Sequence, residues 1–390
     1  MSMYADIIKK CKKDWACPDL LESVNKVSRA KIPFSSPSLN YITYGGIPKV
    51  GFTHFFGFEG SGKSTTAMDV CKNAYIVFAK DYEREVAELE EKVASGEKEY
   101  KIPLADLKER GPKKVLYIDI EHTYDRKWAA TLGLSEILDV MQPPNIAAEK
   151  ILNAIYDLVD SGEMGLIVLD SVPSLVPETE LKKKIGERTV AALANLMTQT
   201  ARRLNPILFR GQCSLILINQ QRENMDNPYK EKVPGGTALR FYASLELMFS
   251  RGNPVDFLGN EIPLKSDSPA GYKIVVTVKK QKTAPFDRRR GEYYLMAKSG
   301  LRVDFEFVQL AVNQYDIIHK HGGWYYIRNP KTMEQLEIDG KDVKVNGMPN
   351  VYDYVQINQD YYQELCDAII EKINSDGLTI TSEVEEDTDE

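Results

Sequence analysis

Eight residues, Gly57-Phe58-Glu59-Gly60-Ser61-Gly62-Lys63-Ser64, constrain this chain more than any other stretch, because they satisfy the pattern G-x-x-x-x-G-K-[S/T] at every fixed position. Such a loop works only between a strand and a helix. The apolar run Gly51 to Phe56 reads as the buried strand leading in, and Ser64-Thr65-Thr66-Ala67-Met68-Asp69-Val70-Cys71 reads as the helix leading out. Glycines let successive backbone N–H groups converge on phosphate oxygens at a helix N-terminus, where the macrodipole also favours negative charge. Lys63 is then expected to reach the β- and γ-phosphates of a nucleoside triphosphate, and the Ser64 hydroxyl to ligate Mg²⁺. Thr65, next on the same helical turn, belongs to the same binding set.

Further strands are expected at 115–120, 165–170, 214–219, 243–250, 271–280 and 291–297. The early ones alternate with helical patterns, which predicts an α/β fold with a mostly parallel sheet covered by helices on both faces. The later ones follow one another closely and are expected as antiparallel hairpins at one edge. Residues 1–32 read as an N-terminal helical segment, 33–300 as the core, 301–376 as a small C-terminal α/β domain and 377–390 as an acidic, disordered tail, after a last helix over about 359 to 374. Within the core, 80–112 is strongly charged with a thin apolar stripe (Val86, Leu89, Ile102, Leu104, Leu107), and reads as a surface helical insertion turning at Ser95-Gly96.

Composition narrows the class. With 43% hydrophobic and 27% charged residues the chain is expected to be globular, and no apolar run approaches the roughly 18 residues of a membrane span. The N-terminus lacks the apolar segment of a secretory signal, so a cytoplasmic protein without membrane contact is expected. Five cysteines, at 11, 17, 71, 213 and 366, form neither C-x-x-C pairs nor a His/Cys metal pattern, and read as reduced thiols. Of the net charge of −7, the last eight residues carry −6. Basic runs meanwhile stand at Lys182-Lys183-Lys184, Arg202-Arg203, Lys279-Lys280 with Lys282, and Arg288-Arg289-Arg290. Such runs become a nucleic-acid surface only where the fold gathers them.

The strand ends supply the chemistry. Alternation puts Asp119 and Glu121 on one side of the strand Val115 to Glu121, at the end that faces the ligand crevice of an α/β sheet. Glu121 is the candidate to orient water against a γ-phosphate, the alternative being a helix cap. Leu166 to Leu169 followed by Asp170 is the usual acidic partner of a P-loop, with Asp170 holding the Mg²⁺ shell beside Ser64. Leu215 to Gln220 delivers two amides to the same edge, and Gln220 is placed to sense the γ-phosphate. The polar loop from Gln221 to Pro234 that follows is too long for a simple connection.

Taken in order, these motifs resemble the ATP-dependent strand-exchange recombinases of the RecA family, bacterial and phage. The resemblance covers about 30–300 and rests on Gly57 to Ser64, Ile118-Asp119-Ile120-Glu121-His122 with Asp125, Val168 to Val172, Ile218-Asn219-Gln220, Gly235-Gly236-Thr237-Ala238-Leu239-Arg240-Phe241-Tyr242-Ala243-Ser244, and Lys280-Gln281-Lys282-Thr283-Ala284-Pro285-Phe286. It implies a RecA-like P-loop NTPase core that uses ATP and Mg²⁺, with Glu121 as catalytic carboxylate and Gln220 as allosteric sensor. Asp125 and Trp128 fall where the family contacts and stacks on adenine. Two loops would bind DNA, the first through Lys183, Lys184, Arg188 and Val190, the second through Arg222, Met225, Tyr229, Lys230 and Lys232, with Gly235 and Gly236 closing it. Lys280 and Lys282 resemble the lysine pair that reaches a neighbour's ATP, and Phe241 the residue that couples adjacent sites.

The implied partners are single-stranded DNA, homologous duplex, further copies in a helical filament, and single-strand-binding and mediator proteins. The acidic tail is similar to the family's autoinhibitory tail. The second loop is shorter than in the bacterial form, the Lys280 segment is one residue shorter, an aromatic near Ala297 is missing, and the 80–112 insertion is absent from bacterial RecA, which points to a phage-type member. Two alternatives share the core: a hexameric helicase, and a nucleotide-gated DNA-binding scaffold that does not hydrolyse.

Overall fold

A computed structural model describes residues 30–96, 102–134, 138–184, 187, 191–221 and 238–386. The N-terminal segment before Ala30, and Arg188, Val190, Arg222, Met225, Tyr229, Lys230, Lys232, Gly235 and Gly236 of the expected DNA loops, lie outside the described residues. After a short antiparallel pair, β1 (Lys31–Ile32) with β2 (Ile47–Pro48), the chain enters one large sheet. Its strands are β3 (Gly51–Gly57), β4 (Lys114–Asp119), β5 (Asp139–Met141), β6 (Met164–Asp170), β7 (Ser214–Gln220), β8 (Leu245–Val255), β9 (Gly271–Gln281), β10 (Arg290–Met296) and β11 (Gly300–Leu301). They lie in the order β11-β10-β9-β8-β3-β7-β6-β4-β5. From β5 to β8 all pairs are parallel, and from β8 to β11 all are antiparallel, so the expected antiparallel edge is present.

Two-faced burial explains the apolar runs. Along β6, Leu166 and Val168 join one core with Phe55, Tyr117, Ile216 and Ile218, while Ile167 and Leu169 join the other with Phe52, Leu116, Ile118, Leu215 and Leu217. The first core is covered by α2 (Lys63–Ala94), the second by α5 (Ala148–Asp160) and α7 (Ala192–Gly211). Successive side chains of a strand point to opposite faces, so a strand covered on both reads as a continuous hydrophobic run.

The charged stretch is not a separate insertion at its start. Helix α2 runs unbroken for 32 residues from the P-loop lysine to Ala94, where Ser95 caps it. A short helix α3 (Leu104–Arg110) packs back on it through buried Leu107 and Leu89, with Lys108–Glu90 at 2.6 Å and Arg110–Glu85 at 2.9 Å on the outside. Towards the N-terminus, Ser36 caps α1 (Pro37–Thr43), accepting from the Leu39 N–H with Pro37 in the first turn.

The C-terminal domain has its own core around Val308, Ile318, Ile327, Val351 and Ile369. That core sits between α9 (Val303–Asn313), a three-stranded antiparallel sheet of β12 (Ile318–His321), β13 (Trp324–Ile327) and β14 (Lys344–Asn346), and the helices α10 (Met348–Ile357) and α11 (Gln359–Glu386). Helix α11 extends beyond the expected end near 374, so helix rather than disorder covers the start of the acidic tail. That stretch holds no proline and only Gly377 as a breaker.

Glu306 joins the two domains. It is 2% exposed, and one oxygen accepts from the Ser36 hydroxyl and, at 3.2 Å, from the Ser38 N–H. Its second oxygen has no partner, and burial pushes the carboxyl well above its ordinary value.

Truncating Leu107 to Ala is expected to lower unfolding free energy by about 2–5 kcal/mol, and Lys108→Ala by less than about 0.5 kcal/mol, in urea titrations; equal costs would contradict this division. Folding takes up a proton at Glu306. Its contribution is therefore complete below the unfolded value of 4.5 and falls as pH rises through the raised folded value. Glu306→Gln should flatten that part of the pH profile of the urea midpoint, and an unaltered profile would refute the assignment.

Candidate functional site

Four adjacent parallel strands end on one crevice: β3 gives the P-loop, β6 Asp170, β7 Gln220, and β4 leads into Glu121. The loop needs its glycines. Gly57 has φ of +155°, and a Cβ there would stand 2.1 Å from the Phe249 carbonyl oxygen. Gly62 has φ of +85°, and a Cβ there would stand 2.6 Å from the Tyr293 hydroxyl. Below it, Thr66 donates to the Gly62 carbonyl at 2.9 Å and shares a 2.7 Å hydrogen bond with buried Tyr293, tying the first helical turn to β10.

Lys63 is 6% exposed, and its ammonium donates to the carbonyls of Gly57 (3.0 Å) and Phe58 (2.7 Å). Burial lowers its pKa, while Asp170, Glu121 and Glu59 pull it back up. Phe58, Glu59 and Gly60 are exposed at the tip, and Ser61 is buried, donating to the Phe58 carbonyl at 2.7 Å.

Asp170 is nearly buried. Its Oδ2 accepts from the Tyr117 hydroxyl at 2.5 Å, and Ser64 donates to the same carboxylate. Burial pushes this carboxyl up, and the two hydrogen bonds oppose that shift. A serine hydroxyl and a carboxylate side by side at the lip of a cavity suit a hard divalent cation that also keeps water and phosphate ligands. Among the described residues no cluster of three or more His, Cys, Asp or Glu forms a dedicated metal cage.

Glu121 is brought to the same place. Its Oε1 accepts from Gln220 Nε2 at 2.9 Å, from Ser174 at 3.2 Å and from the Ser171 hydroxyl. Asp119 does not share this role, although alternation puts it on the same side of the strand. Its buried carboxylate accepts from the Tyr124 N–H and from Gln142, both at 2.9 Å, and so ties down the loops beside the cavity.

A cavity of about 250 Å³ opens beside Ser64, lined by Thr65, Met68, Tyr117, Tyr124, Asp125 and Trp128. Trp128 donates through Nε1 to the Thr65 hydroxyl at 3.2 Å, which fixes the indole plane. Asp125 caps α4 (Arg126–Thr131), accepting from the N–H groups of Lys127 (2.7 Å) and Trp128 (3.3 Å). Sequence reasoning missed Tyr117, Ser171, Ser174 and Tyr293. Only Ser171 carried a signal, as the residue after the acidic strand end.

The remaining candidates lie away from this cavity. Lys183 and Lys184 are exposed just beyond α6 (Glu178–Leu181). Phe241, in α8 (Ala238–Tyr242), is 73% exposed. Lys280 donates to the carbonyls of Arg240 and Phe241, the latter at 2.9 Å, and Lys282 donates to Phe241 at 3.1 Å.

Residues 94–302 match the family model for the RecA N-terminal domain. Over 376 residues the chain is 31% identical to Protein RecA of Aquifex aeolicus, covering 95% of this chain and 90% of that one. The chain belongs to the RecA family. It is also 31% identical over 299 residues to Protein RecA of Thermus aquaticus, covering 75% of this chain and 74% of that one. It is 30% identical over 329 residues to the mitochondrial DNA repair protein recA homolog of Dictyostelium discoideum, covering 82% of this chain and 62% of that one. In this RecA-family chain the model match begins after the P-loop, inside the charged stretch that lengthens α2. Among the described residues no helix is long and apolar enough to cross a membrane.

Gly62→Ala forces a side chain into a left-handed backbone and against Tyr293, a strain of roughly 1–3 kcal/mol. Nucleotide affinity should fall about tenfold or more in a fluorescence titration. Wild-type affinity in this variant would contradict the geometry.

Proposed function

We propose that this chain is an ATP-dependent recombinase that assembles on single-stranded DNA as a helical filament and pairs it with homologous duplex, hydrolysing ATP to ADP and phosphate. The observation that carries the reading is Glu121 held by Gln220, Ser171 and Ser174 at the mouth of a P-loop cavity, in a member of a family whose relatives are named for RecA and DNA repair.

The phosphates of ATP lie along Gly57 to Thr65, where backbone N–H groups and Lys63 receive them, and the adenine stacks on Trp128 beside Asp125. Ser64 and Asp170 would hold Mg²⁺, which would supply charge neutralisation to the phosphates when bound. Glu121 orients the attacking water, and positioning of this kind is most of what phosphoryl transfer asks of a protein. A γ-phosphate competes with Glu121 for the Gln220 amide. Binding therefore frees the carboxylate and moves the start of the loop at Gln221, whose N–H donates to the Gly57 carbonyl at 2.9 Å.

Lys280 and Lys282 serve a neighbour's ATP, exchanging the carbonyls of Arg240 and Phe241 for its phosphates, while Phe241 inserts across the same contact. The first loop (Lys183, Lys184, Arg188, Val190) and the second (Arg222, Met225, Tyr229, Lys230, Lys232, Gly235, Gly236) grip the DNA backbone and bases. The segment 1–32 packs on the adjacent copy of the 33–300 core, giving an interface that repeats without closing. The acidic tail competes with DNA for the basic loops.

ATP turnover should rise with single-stranded DNA. Glu121→Gln should cut that turnover by about 10²-fold or more while nucleotide still binds. Undiminished turnover in the variant removes the assigned role, and closed rings in electron micrographs with ATP and DNA overturn the filament.

A further inference from the structure

The geometry points to Tyr117 as a positioning residue for the nucleotide-bound divalent cation: its hydroxyl holds the Asp170 carboxylate in place from behind. The inference rests on the reading of the P-loop cavity as an ATP–Mg²⁺ site, and it concerns a residue that none of the motifs contains.

Tyr117 lies in the middle of β4, paired in register with Val168, so Asp170 stands two positions further along the neighbouring strand. Diagonal neighbours on one face of a sheet lie within reach of an aromatic side chain. The ring crosses that diagonal, packs against Tyr124 at 5.8 Å between centroids, and ends with its hydroxyl 2.5 Å from Asp170 Oδ2. Both side chains are shut away from bulk water, Tyr117 at 1% and Asp170 at 4% exposure.

A buried carboxylate needs donors, since each hydrogen bond to a charged group offsets part of its lost hydration. Asp170 has two, Ser64 and Tyr117. They are not equivalent. The Ser64 hydroxyl opens the P-loop helix at the lip of the cavity, so its position is tied to the loop that receives the ligand, and its oxygen has a cation to serve as well. Tyr117 reaches the cavity wall from the strand layer, where its ring is packed in the core beside α2, so its position does not depend on the P-loop helix terminus.

A phenylalanine would fill the same core volume. The hydroxyl is the one part of this side chain that the core does not require, and its hydrogen-bond partner is Asp170. It leaves the carboxylate's other oxygen to be offered towards Ser64 and the cavity, and it fixes the carboxylate plane before the cation arrives. Pre-set geometry of this kind spares the site the cost of ordering a ligand during binding.

The test compares Tyr117→Phe with wild type by titrating a fluorescent ATP analogue, first in chelator and then at rising Mg²⁺. The hydroxyl's role predicts unchanged affinity without Mg²⁺ and a midpoint for the Mg²⁺-dependent gain that moves up roughly tenfold. In an Asp170→Asn background the same substitution should add nothing further, because the effect passes through Asp170. Equal weakening with and without Mg²⁺ would mark Tyr117 as packing alone and overturn the inference. So would an unshifted Mg²⁺ midpoint, or a full additional loss in the Asp170→Asn background. A wild-type chain whose nucleotide binding ignores Mg²⁺ would instead overturn the reading of the site itself, and this assignment with it.

Discussion

Everything in the core is arranged around one buried strand. Each residue of Gly51–Gly57 is shielded, because β3 pairs in parallel with β7 on one side and β8 on the other and is covered on both faces. Parallel pairing is what makes a common edge. It aligns the C-terminal ends of β3, β7, β6 and β4, so groups more than a hundred residues apart in the chain meet without any long-range recognition of their own. The Glu121–Gln220 hydrogen bond, linking positions 99 residues apart, is a product of that alignment.

The sequence was legible where a single physical period dominates. The strands 52–56, 165–170 and 214–219 are apolar on both faces and bounded by polar residues, and the structure extends each by only a residue or so. The P-loop was legible because its glycines answer to backbone geometry, which is local. Asp119 was not separable from Glu121 by alternation, since what distinguishes them is the Tyr124 N–H and Gln142, both delivered by tertiary structure. Tyr117 was hidden for the same reason: in the run Val115 to Ile120 it is one more apolar residue, and only the register with β6 reveals where its hydroxyl goes.

The lysines near 280 show a different limit. Their number and spacing carry a resemblance, but a side chain with several rotatable bonds takes whichever acceptor is nearest. Within a single chain those acceptors are the carbonyls at the end of α8. Helix ends expose such carbonyls, so a cation beside one is held without any carboxylate. Burial lowers the Lys280 pKa, with Lys282 adding to the effect.

Helix α2 has a mechanical side. It starts at the P-loop lysine, Lys63, and runs for 32 residues without proline or glycine, which at 1.5 Å per residue makes a rod about 48 Å long. Its first turns are fixed by Thr66 and Asp69, and its far end carries α3 clamped by Leu107 and two ion pairs. A rod pivoted near one end magnifies rotation: a tilt of about 5° at the phosphate loop swings the α3 end through about 4 Å. The charged extension is thus the long arm of a lever whose short arm is the phosphate loop.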